Sequence, residues 1–126
     1  MAQTMDNDIR QADALRKSLN WQAAAQSYGR IHQMQPNNAV VTHNLALCHL
    51  ALQNWQEAIS CGRQALRDAP NQWQSASLLA KALNKNKQQD QALQLLDKLH
   101  QHLPAQADIR QELAHLHLHH LGNAAS

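Results

Sequence analysis

Residues 39–72 read AVVTHNLALCHLALQNWQEAISCGRQALRDAPNQ, and this stretch decides the fold. It contains two runs in which apolar residues recur three and four apart, the period of an α-helix. Asn54-Trp55 stands between the runs and Pro70 ends the second. Proline cannot continue a helix and pushes the residue before it out of the helical region, so Pro70 closes the unit. Ala46 and Ala58 are small where two antiparallel helices must approach closely, and Leu45, Ile59, Ala65 and Leu66 supply apolar surface. Asn54 is placed to cap the second helix through its side-chain carbonyl. One such hairpin cannot bury its apolar face alone and calls for neighbours.

The neighbours are visible in the rest of the chain. Pro36, Pro70 and Pro104 fall 34 residues apart, and Asn20-Trp21 precedes Asn54-Trp55 by the same interval. Ala12, Ala46, Ala80 and Ala114 keep that spacing, as do Ala24, Ala58 and Ala92. An unrelated bundle would share the helical period but not this fixed phase of proline and Asn-Trp. The reading is all-α, with helices over 6–18, 22–34, 39–52, 55–68, 73–86, 89–102 and 107–121. The units run 5–38, 39–72 and 73–106, with a single helix of a fourth over 107–126, together one repeat domain.

Composition agrees. The 126 residues are 44% hydrophobic and rich in Ala, Leu and Gln, with only three Gly and three Pro, which favours helix over turn-rich β structure. A formal charge of +2 gives no concentrated basic stripe, so no nucleic-acid surface is expected. MAQTMDNDIRQ has no basic start followed by an apolar run, and no stretch is long and apolar enough to span a bilayer. The chain reads as non-membrane and cytoplasmic. Cys48 and Cys61 make no CxxC and read as reduced thiols packed as small hydrophobes. Among the four histidines from His115 to His120, His115 and His119 share a helical face and could hold a divalent metal, joined by Asp108 and Glu112. Without HExxH or a nearby cysteine, no dedicated metal site and no cofactor are expected. No Gly-rich phosphate loop or GxSxG is present, so this chain alone is not expected to be an enzyme.

The second unit resembles the tetratricopeptide repeat family. It has Leu45-Ala46 where the family prefers Leu-Gly, Asn54-Trp55 at the turn, and Ala58, Ala65 and Pro70 at the small and proline positions. The first unit contributes Ala12, Asn20-Trp21, Ala24, Tyr28 and Pro36. The third contributes Leu79-Ala80, Ala92, Leu96, Leu99 and Pro104, but has Gln88-Gln89 where the aromatic should stand. The resemblance implies a right-handed helical-hairpin solenoid of three full 34-residue units plus a fourth A helix, the first helix of each hairpin being A and the second B. It implies a scaffold or adaptor that binds a peptide or protein segment in the concave groove of the A helices. Carried over by position, that groove includes Arg10, Asp13 and Lys17; His43, Asn44 and Leu47; Leu78, Lys81 and Lys85; and Glu112 and His115. Leu47, Leu50 and Leu78 read either as contacts for an apolar ligand or as packing against the neighbouring A helix.

Two known groove chemistries are not matched. The clamp for chaperone C-termini would need Lys, Asn and Arg where this chain has Ile9, Asp13, Asn44, Gln74 and Leu78. An Asn ladder would need Asn at Arg10, Asn44, Leu78 and Glu112. Because the fourth unit stops after Gly122-Asn123, two alternatives stay open. The array is the substrate-recruiting part of a larger enzyme of glycosyltransferase or sulfotransferase type. Otherwise the uncovered C-terminal helix pairs with a second copy to make a homo-oligomer.

Overall fold

The computed structural model describes residues 2–102. These form six helices: α1 (Ala2–Lys17), α2 (Trp21–Met34), α3 (Ala39–Ala51), α4 (Trp55–Asp68), α5 (Trp73–Lys85) and α6 (Gln89–His102). Among the described residues there is no strand, and none of these helices is long and apolar enough to cross a membrane. They pair as three hairpins, so α1, α3 and α5 are A helices and α2, α4 and α6 are B helices. The expected helix over 6–18 begins four residues earlier, at Ala2, because no proline or glycine interrupts the chain before Asp6. Residues 107–126, where the sequence places the A helix of a fourth unit, lie outside the described residues.

The turn inside each hairpin is the same turn three times. Leu19, Gln53 and Lys87 each have φ 64°, the left-handed region, although none is glycine. In each, two backbone N–H groups return to the end of the A helix. Leu19 N donates to the Arg16 carbonyl at 3.0 Å and Asn20 N to Leu15 at 2.9 Å. Gln53 and Asn54, then Lys87 and Gln88, repeat the pair. These bonds satisfy carbonyls that a helix end leaves open, and so hold a conformation that costs an L-residue about 1–2 kcal/mol. Asn54 does start α4, but its side chain makes no cap bond; its amide lies 3.4 Å from His49 Nδ1 instead. The side chain that does cap is Asn38, which accepts from Val41 N at 3.3 Å at the start of α3.

Packing follows the alanine series. Ala12, Ala46 and Ala80 on the A helices and Ala24, Ala58 and Ala92 on the B helices are all 0% exposed, at the close contacts where a larger side chain would force the helices apart. B helices then pack on the A helix of the next hairpin. One core gathers Tyr28, Ile31, Val41, Leu45 and Cys48 around the joint of α2 with α3. The next gathers Ala58, Ile59, Leu79, Leu83 and Leu96 around α4, α5 and α6. Each large side chain removed from water there stabilises the array by about 1.5–3 kcal/mol.

Candidate functional site

The expected site residues that the structure describes lie on the A helices α1, α3 and α5, and some of them meet between α3 and α5. His43, Leu47, Leu78 and Lys81 come together. With Leu50, Trp73, Gln74 and Ser77 they line a depression of about 210 Å³ between α3 and α5. Leu78 is 5% exposed, so most of it is spent on packing, whereas Leu47 stays half-buried and accessible. Asn44 is half-buried on α3 beside this depression without lining it. Arg10 and Lys17 on α1 and Lys85 on the last turn of α5 are exposed. Glu112, His115 and His119 lie outside the described residues.

Asp13 is engaged inside the fold. The Tyr28 hydroxyl, on α2, donates to its carboxylate and accepts from Arg16 Nε at 3.1 Å, while Arg16 Nη2 stands 3.8 Å from Asp13. Burial, then the bond to Asp13, pushes the phenol up to about 12. A fully buried ring is thus fixed through a polar cluster that α1 supplies.

His43 is the polar group best placed to meet a ligand. Gln72 Nε2 donates to Ser75 Oγ at 2.6 Å, and that hydroxyl stands 2.9 Å from His43 Nδ1. The Ser75 hydroxyl, with one proton and two lone pairs, thus joins Gln72 to His43 and fixes the imidazole ring through Nδ1. Desolvation, and then the positive Arg16, hold His43 below its ordinary value, so the ring is neutral at pH 7. The depression therefore combines leucine and tryptophan walls, a neutral imidazole and the Lys81 side chain. Trp73 was not among the expected site residues; the signal was an aromatic opening the third A helix, where the second unit has Ala39.

The thiols are set back from this face. Burial pushes Cys48 up to about 11 and raises Cys61, and both are free. Such thiols are poor nucleophiles. No group of three or more metal-ligating side chains occurs among the described residues.

A family profile described as anaphase-promoting complex, cyclosome, subunit 3 matches residues 17–99, about two thirds of the chain. The chain belongs to this tetratricopeptide repeat family. No curated protein matches it by sequence. Among solved tetratricopeptide domains, the second domain of human RPAP3, in complex with an HSP70 peptide, is 18% identical with a TM-score of 0.82, over 86% of this chain and 91% of that one. The first such domain of Spaghetti (RPAP3), bound to an HSP90 peptide, is 17% identical with a TM-score of 0.86, over 100% and 97%. The Sgt2 domain from Aspergillus fumigatus is 14% identical with a TM-score of 0.87, over 98% and 83%. At these identities the likeness is one of fold, and it extends to the three-hairpin tetratricopeptide arrangement described above.

Proposed function

We propose that the chain is a protein-interaction scaffold whose A-helix face binds an extended segment of a partner protein. The observation that carries this reading is the depression between α3 and α5, where Leu47, Leu50 and Trp73 offer apolar contact beside the His43 imidazole and Lys81. An apolar anchor in such a hollow supplies affinity, and a donor at its edge fixes the peptide backbone. Two proteins of the same fold hold chaperone peptides. Ile9, Asp13, Asn44, Gln74 and Leu78 at the clamp positions argue for a different ligand here. The peptide-binding face extends to Arg10, Lys17, Asn44 and Lys85.

The test is capture of partners from the source cells with the wild-type chain and with Leu47→Asp and Asn44→Ala. A protein held by the wild type and lost by both variants, with unchanged melting, supports the reading. A protein held equally well by all three, or loss that tracks unfolding, overturns it.

A further inference from the structure

The two joints between hairpins repeat the same positions 34 residues apart, but on the B-helix side they are built differently. At the first, Thr42 Oγ1 lies 3.2 Å from His32 Nδ1, and Gln64 Nε2 donates to the Pro36 carbonyl at 2.8 Å. These contacts tie α2, α3 and α4 together. At the second, the same positions hold Ala76, Leu66 and Lys98, and the Thr42–His32 pairing has no counterpart. A hollow of about 640 Å³ opens there, walled by Leu66, Trp73, Ala76, Leu95 and Leu99, with Lys98 beside them.

This hollow is one end of a longer feature. Leu66 also bounds a second hollow of about 300 Å³, between Arg63, Arg67 and Leu79. The two arginines bound a third, about 580 Å³, which reaches Asn86 and Gln88. Leu66 is common to the first two hollows and Arg63 and Arg67 to the last two, so the three adjoin along α4 as a broken trough. It is apolar at the Pro70 end and cationic along α4. Among the described residues no carboxylate lines any part of it. Arg63 reaches across to Gln91 Oε1 at 3.0 Å, which holds its guanidinium in place. The first unit has Gly29 and Gln33 at the two arginine positions, so the charge belongs to this joint alone among the described ones.

Leucine and tryptophan walls beside guanidinium groups suit a ligand that is apolar at one point and anionic next to it. The apolar part gains by leaving water, and carboxylates match the planar donor fork of arginine. We propose that this trough is a second binding surface, separate from the A-helix face, for an acidic polypeptide segment. A bulky apolar side chain seats among Leu66, Trp73 and Leu99, and flanking carboxylates meet Arg63 and Arg67.

Fluorescence anisotropy of the full chain with a labelled Glu-Glu-Leu-Glu-Glu-Leu-Glu-Glu peptide tests this. Saturable binding is expected, weakening as salt is raised. The Arg63→Glu/Arg67→Glu chain, or Arg67→Gln alone if the double variant melts early, should bind about tenfold or more weakly. Replacing both peptide leucines with serine should weaken binding similarly, while Leu47→Asp on the A-helix face leaves it unchanged. No saturable binding, or binding indifferent to the arginine variants, overturns the proposal. So does loss of binding in Leu47→Asp, which puts the peptide on the other face. A labelled thymidine oligonucleotide that binds through the arginines when the peptide does not makes the trough a polyphosphate surface, and overturns it too.

Discussion

Where α2 meets α3, Tyr28 fills the space between the helices; where α4 meets α5, the same repeat position is Gly62. A Cβ on Gly62 would stand 3.3 Å from Leu79 Cβ, so α5 rests almost directly on the α4 backbone. The residues around each follow suit. Tyr28 needs partners for its hydroxyl, and the first A helix supplies Asp13 and Arg16. Gly62 needs none, and the second A helix has Leu47 and Leu50 at those two positions, where they line the candidate peptide depression. One repeat position is thus tied into a polar cluster in one hairpin and lines a surface depression in the next, depending on what the B helix asks of it. Equivalence by spacing fixes where a residue sits, not what it does there.

Installing the first joint's residue in the second gives the largest expected effect. Gly62→Tyr forces a ring against Leu79 and should cost about 1–3 kcal/mol, read as a fall in the midpoint of urea unfolding. An unchanged midpoint would mean that the close approach of α4 and α5 does not distinguish the joints. Next comes the polar pairing of the first joint. Thr42 Oγ1 donates to the Asn38 carbonyl at 3.0 Å and faces His32. Thr42→Ala should cost about 1 kcal/mol. Ala76→Thr should gain nothing by the same measurement, because Leu66 offers no polar atom to pair with. Equal effects at both sites would erase the contrast. The smallest effect concerns the hairpin turns, which do not differ. Lys87→Gly should stabilise by about 0.5–1 kcal/mol, the relief of left-handed backbone less the added chain entropy. Leu19→Gly and Gln53→Gly should match it in thermal melts, and a spread among the three would show that the turns are not equivalent.

The features that could be read from the sequence are those that a single residue type enforces. Pro36 and Pro70 mark the joints because a proline constrains the backbone before it whatever surrounds it. The small positions hold because only alanine fits between close helices, and all six described members of the two series are fully buried. The turns were placed correctly, but their left-handed residues were not legible. Glycine is the usual mark of that conformation, and here backbone hydrogen bonds hold Leu19, Gln53 and Lys87 in it without one. The cap assigned to Asn54 is absent, as it is at Asn20: these two start their helices at ψ 76° and 71°, short of the extended ψ of 96° at which Asn38 does cap. At the candidate site, the gathering of His43, Leu47, Leu78 and Lys81 followed from the family resemblance carried over by repeat position. The tie of Asp13 to Tyr28 did not, since it joins two helices through a contact 15 residues apart in sequence.

Trp73 borders both the depression on the A-helix face and the trough on the B-helix face. One indole is the partition between two compartments. Any occupant that tilts the ring changes the shape of the other compartment. By thermodynamic linkage the second occupant must then alter the affinity of the first by the same factor.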